Sequence, residues 1–192
     1  SGNSPTSDFG PSFYNDRLIY CSFRTDMKRE MTKRNFSHIQ KAGNQLFVCN
    51  DKLNSNFTNI SFLKSDLEDI HNIGPLSYAD AKVAFTKNNF ADGYKHINGT
   101  ETDLNIFFAE VVEENGNFDS VVPFEHNMSG SSTAYPVFLN NGNSVIFSSN
   151  RVGGQGKFDL YISHLEDGSW SQPENLGSEI NSPGNEITPS VY

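Results

Sequence analysis

Four prolines set the frame for this chain. Phe9-Gly10-Pro11, Ile73-Gly74-Pro75, Ala134-Tyr135-Pro136 and Ile187-Thr188-Pro189 recur about every 60 residues, a period expected of short-stranded repeats lengthened by loop insertions. After each of the first three comes an apolar run that closes on polar residues. The runs are Leu18-Ile19-Tyr20-Cys21-Ser22-Phe23-Arg24, Val83-Ala84-Phe85-Thr86-Lys87-Asn88-Asn89 and Val145-Ile146-Phe147-Ser148-Ser149-Asn150-Arg151. Repeat units bury their faces against neighbours, so the period constrains the architecture before any site is considered.

Each unit parses into four strands, A to D. The first unit gives 9–14, 18–23, 45–50 and 60–64; the second 75–79, 82–86, 104–112 and 118–124; the third 134–139, 144–149, 158–164 and 170–175. Residues 186–192 read as a lone strand A. The A–B connections (Asn15-Asp16, Asp80-Ala81, Asn140-Asn141-Gly142-Asn143) and two C–D connections (Glu114-Asn115-Gly116-Asn117, Glu166-Asp167-Gly168-Ser169) carry the residues that accept positive φ in tight hairpins. Helical periodicity is scarce. The chain is expected to be all-β: a β-propeller of three four-stranded antiparallel blades at about 7–66, 67–128 and 129–183, with 184–192 starting a fourth and 1–6 a tag remnant and linker.

A proline in strand A removes a ladder donor, which an edge strand tolerates. In a propeller strand A is innermost, so the prolines should line a central channel. Strand B is continuously apolar, as expected where both faces are covered. Phe118 and Trp170 hold equivalent places at the start of D, each expected to pack on its own blade. An arc of three blades would leave apolar end faces, and at ~25 cal/mol per Å² their exposure is costly. The remaining blades are therefore expected partners.

The formal charge of −9 argues against sequence-independent nucleic-acid binding, which rests on Lys and Arg neutralising phosphates. No run of about 18 apolar residues is present to span a membrane. Cys21 and Cys49 fall in neighbouring strands of the first unit. They read as two small, buried, reduced thiols, a bridge requiring α-carbons within about 7 Å. No His, Cys or carboxylate cluster has ligand spacing, so neither a metal nor another cofactor is expected.

Arg151-Val152-Gly153-Gly154-Gln155-Gly156-Lys157 lacks the spacing of a phosphate loop and joins two strands; it reads as a turn whose glycines admit positive φ. Asp159 is expected to bond backbone or a nearby Ser, and Arg151 to pair with an acid. Glycosidase chemistry needs two carboxylates converging on the channel, yet the residues following the four prolines are Ser12, Leu76, Val137 and Ser190. Glu166-Asp167-Gly168-Ser169-Trp170 does not keep the spacing of a sialidase aspartate box. No catalytic residue is assigned, and the chain reads as a non-enzyme. The long B–C loops mark the decorated side, where binding is expected. Arg24, Lys28, Arg29, Lys33, Arg34 and Lys41 form a basic insert there, read either as a docking patch for an acidic partner or anionic glycan or as a solvated loop. Sequons at Asn35, Asn56, Asn59, Asn98 and Asn127 are attributed to the abundance of asparagine.

The third unit carries a specific resemblance. Ser149-Asn150-Arg151, Gly153-Gly154-Gln155-Gly156, Phe158-Asp159-Leu160-Tyr161, Trp170 with Pro173-Glu174-Asn175-Leu176-Gly177, and Asn181-Ser182-Pro183-Gly184-Asn185-Glu186 closely resemble the WD40-like propeller repeat of the TolB type. The variant most similar occurs in OmpA-family, peptidoglycan-associated envelope proteins of Bacteroidota, PorE/SprE-like lipoproteins tied to type IX secretion among them. The resemblance implies a ring of about six blades and a periplasmic, outer-membrane-associated setting. It also implies a non-catalytic scaffold that docks other cell-envelope proteins, with peptidoglycan held by a separate domain that these residues do not contain. The competing reading is a carbohydrate-binding or glycosidase-type propeller.

Overall fold

The computed structural model describes residues 8–22, 45–52, 59–63, 73–88, 103–114 and 116–191. Among them there is no α-helix; the chain forms three antiparallel sheets. The first orders β1 (Asp8–Tyr14), β2 (Arg17–Ser22), β3 (Gln45–Lys52) and β4 (Ile60–Phe62). The second orders β5 (Ile73–Ala79), β6 (Lys82–Asn88), β7 (Leu104–Val111) and β8 (Phe118–Pro123). The third runs from β9 (Thr133–Leu139) through β10 (Ser144–Ser149) and β11 (Asp159–Glu166) to β12 (Ser169–Trp170), with β13 (Glu174–Asn175) also paired to β11.

The turns form as their residues dictate. Asn15 and Asp16 both take positive φ (46° and 59°), as do Asn140, Asn141 and Gly142 in the corresponding turn of the third sheet. Asp167 and Gly168 do the same between β11 and β12 (49° and 86°). These residues have little or no side-chain clash in the left-handed region, so the turn closes without β-branched strain.

Strand alternation then sorts the apolar residues onto two faces. Ile19, Cys21, Leu46 and Val48 of the first sheet pack on Ile73, Leu76, Val83, Phe85 and Phe118 of the second. The opposite face of the second sheet sends Ala84, Ile106 and Phe124 against Phe138, Val145, Phe147 and Tyr161 of the third. One aromatic pair recurs at the same place in every sheet: Tyr20–Phe47 (centroids 5.9 Å), Phe85–Phe107 (5.9 Å) and Phe147–Tyr161 (6.0 Å). In the second and third sheets this pair faces the preceding sheet.

Three expectations need correction. Glu186–Val191 makes no ladder; just before it Asn185 forms an isolated parallel bridge with Phe158, and Glu186 N donates to Phe158 O at 2.8 Å. The fourth strand of the third unit is split at Pro173, which has no N–H to donate. Trp170 stacks more closely on Phe108 of the second sheet (4.8 Å, 17° between planes) than on Phe138 of its own (6.5 Å, 21°), whereas Phe118 meets Phe85 of its own sheet at 5.3 Å. Cys21 and Cys49 are buried thiols on opposite faces of the first sheet, opposite Leu46 and Ile60 respectively.

Candidate functional site

Each of β1, β5 and β9 is an edge strand, and each is irregular at its proline. The register jumps from Phe9 to Ser12, from Ile73 to Leu76, and between Ala134 and Val137, leaving the proline and the residue before it outside the ladder. A bulge at this point makes the missing proline N–H harmless. The residue before the proline is left-handed at Gly10 (φ 62°), Tyr135 (56°) and Thr188 (52°). At Gly10 an added Cβ would lie 2.8 Å from Pro75 Cγ, so adjacent edge strands meet too closely for a side chain there.

The bulges bring the edge strands together around a cavity of about 380 Å³. All four repeat prolines, Pro11, Pro75, Pro136 and Pro189, line it. Phe13, Tyr78 and Tyr135 add rings; Ser12, Ser77 and Ser190 add hydroxyls. Two hydroxyls of the wall tie neighbouring sheets together, and a third is held within its own unit. Ser12 Oγ donates to Leu76 O, Phe138 N donates to Ser77 Oγ (2.9 Å), and Tyr78 Oη donates to Gly116 O (3.2 Å). Burial, reinforced by Tyr14 and Cys21, pushes the Tyr78 phenol well above its ordinary value and keeps it neutral. No charged side chain lines this cavity among the described residues. Its described wall presents rings, hydroxyls and edge-strand backbone.

The loop side of the third sheet was read from sequence as a turn, and its parts have structural work. Asp159 accepts from Gln155 N (2.6 Å) and Gly156 N (3.1 Å). Only Gly153 uses positive φ (99°). Gly154 and Gly156 are needed for space: a Cβ would lie 1.8 Å from Asp159 Oδ2 and 2.4 Å from Gly184 O respectively. The expected acidic partner of Arg151 is replaced. Its guanidinium bonds Ser149 Oγ (3.1 Å) and His126 O (3.1 Å) and lies over the rings of Phe147 (5.2 Å) and Tyr161 (5.1 Å). Partial burial lowers its pKa, with Tyr161 opposing.

Sequence reading missed a pair of asparagines. Asn127 accepts from Ile106 N (3.0 Å) and donates to Ile106 O (2.8 Å); Asn181 does the same to Leu160 (2.8 and 3.0 Å). Each follows strand D by several residues and sits in a different local sequence, so only their shared target reveals the equivalence. The engagement also removes Asn127 as a plausible glycan acceptor. The basic insert Arg24, Lys28, Arg29, Lys33, Arg34 and Lys41 lies outside the described residues.

No helix of the described residues is long and apolar enough to cross a membrane, and no group of three His, Cys, Asp or Glu among them is placed to hold a metal ion. No family model matches the chain, and no curated protein matches it either.

Proposed function

We propose that the three sheets are blades of a TolB-type β-propeller and that the chain serves as a non-catalytic interaction scaffold of the cell envelope. In this reading it is the propeller of a periplasmic, outer-membrane-associated protein that docks other envelope proteins. Peptidoglycan is gripped by a different domain, and type IX secretion machinery is one such setting. The observation that carries the reading is the third unit. Its motif residues resemble that repeat: Arg151 reaches the His126 carbonyl at the end of the second unit, while Asp159, Gly154, Gly156 and Asn181 hold the third sheet to its own loops.

The test is in-cell cross-linking of the intact protein followed by affinity capture, with and without charge reversal at Arg29, Lys33 and Arg34. Specific envelope proteins should be captured, and the reversal should release an acidic subset. Hydrolysis of oligosaccharides by purified protein, or saturable sugar binding lost on Tyr135→Ala, would sink the scaffold reading in favour of a carbohydrate-active propeller.

A further inference from the structure

The loop between β10 and β11 is fastened at both ends and loose in the middle. Arg151 fixes its entry through Ser149 Oγ and His126 O. Its exit is fixed where Asp159 accepts from Gln155 N and Gly156 N, and where Lys157 N donates to Gly184 O (2.9 Å). Between these anchors Val152 and Gly153 make no hydrogen bond to any described residue. Val152 is 97% exposed, and a Cβ on Gly153 would meet nothing within 4 Å. The loop joins strands B and C of the third unit, so it lies on the side where binding is expected.

Under this strap lies an unpaired group. Tyr161 is 4% exposed, and its hydroxyl is buried without a partner. It points at the loop, since a Cβ on Gly154 would stand 3.2 Å from Tyr161 Oη. Arg151 lies over the same ring, its guanidinium carbon 5.1 Å from the centroid. A guanidinium carries five N–H groups. In Arg151, Nε serves Ser149 Oγ and Nη2 serves His126 O and, at 3.4 Å, Thr133 Oγ1; Nη1 has no acceptor among the described residues. Open donors thus collect in one place: Arg151 Nη1, the Tyr161 hydroxyl and the amides of Val152 and Gly153. The group that satisfies such a set is one that only accepts, and most strongly when it is charged.

Charge narrows the choice. Asp159, beside the strap, is buried with both oxygens taken, and Glu186 sits on Ser182, whose carbonyl backs Gly156. Two fixed carboxylates disfavour a dianion, while Arg151 and Lys157 at the ends of the loop favour a single negative charge. Resting on the scaffold reading above, we infer that the 151–157 loop is a receptor for one carboxylate, an Asp or Glu side chain of a docked protein partner. The carboxylate enters as Gly153 and Gly154 lift, and it accepts from Arg151 Nη1 and from the Tyr161 hydroxyl. Arg151 gains from another chain the acid it lacks in its own.

The probe is the blocked tripeptide acetyl-Gly-Glu-Gly-amide, titrated into the isotope-labelled intact chain. Controls are its Gln analogue, inorganic phosphate, and acetyl-Gly-Gly-Gly with a free C-terminus. The Glu peptide should shift the Gly153 and Gly154 amide resonances saturably, with Kd about 1–10 mM, and the Gln analogue should not. Tyr161→Phe should weaken binding by about three- to tenfold and raise the Tm of the free chain by about 1–2 °C, because it deletes a stranded hydroxyl. A hydroxyl that merely supports the fold would lower Tm and leave binding alone. Arg151→Lys should weaken binding by about tenfold, since an ammonium does not present the same planar fork. Equal shifts from the Glu and Gln peptides, tighter binding of phosphate or of the free C-terminus, or a Tyr161→Phe chain with lowered Tm and unchanged binding overturns the inference. Should Arg151→Lys fail to fold, Tyr161→Phe decides. Envelope-protein capture separates the two readings: peptide binding with no captured partner ends the scaffold reading alone, and capture unchanged by Tyr161→Phe, with no peptide shift, ends this one alone.

Discussion

The two interfaces between sheets solve the same packing problem with different materials. Between the first and second sheets the first contributes aliphatic side chains, Ile19, Leu46, Val48 and Leu63, against the rings Phe85, Phe107 and Phe118 of the second, with a tilted Tyr14–Tyr78 pair (4.8 Å) at one end. Between the second and third, rings come from both sides: Phe108 and Phe124 meet Phe138, Phe147, Tyr161 and Trp170, with Arg151 laid over two of them. Rings bury more area per residue but tolerate fewer arrangements. The aromatic interface should therefore be both stronger and less forgiving.

Replacing a ring at its centre is the hardest test. Phe147→Ala should cost about 3–5 kcal/mol, against about 0.5–1.5 kcal/mol for Ile19→Val at the aliphatic contact, measured by denaturant unfolding. Equal losses for Phe147→Ala and Leu46→Ala would erase the distinction. Gly156→Ala comes next, at about 2–3 kcal/mol, because its Cβ meets backbone carbonyls of Gly184 and Ser182 that cannot swing aside as a side chain can. Asn181→Ala should cost about 1–3 kcal/mol by stranding the Leu160 N–H, with Asn127→Ala a parallel loss at Ile106. Arg151→Lys keeps the charge but loses the flat stacking surface, and should cost about 1 kcal/mol.

The smallest effect is one of pH. Hydrogen bonds from Ser182 Oγ and N hold the Glu186 carboxylate below its usual value of 4.5. A depressed carboxylate stabilises the fold above the unfolded pKa, and the contribution fades as pH falls through the folded one. The Ser182 amide resonance should therefore shift below about pH 4.5 and not above it. Titration of that resonance at the free-glutamate pKa would show that the turn is not closed in solution.

Much of this was written locally. The strands, the positive-φ turns and the place of the prolines follow from patterns a few residues long, because pleat and turn chemistry act over that range. What escaped was set by the meeting of faces. Trp170 could be assigned to a strand, but which sheet its ring would touch depends on how Phe108 is presented by a segment about 60 residues away. Arg151 was read as needing an acid because charge is visible in a sequence, whereas the electron-rich rings beneath it become a partner only after two strands pair. The break at Pro173 was legible and passed over, since Trp170 and Asn175 both suit a strand.

The asparagine brackets have a consequence for how such sheets coexist with other chains. Where the outer strand departs, the N–H of Ile106 or Leu160 would be left without a partner beside a carbonyl already held by Phe124 N or Leu176 N, and an open donor on a sheet edge is where a stray strand adds. At Ile106 and Leu160 a side-chain amide fills that slot, accepting from the N–H and giving the carbonyl a second donor. Unlike a peptide unit, it is not followed by another donor and acceptor two residues on, so the ladder stops there. Each bracket is thus a terminator of growth, and its loss should appear as clumping during refolding in addition to the lost stability.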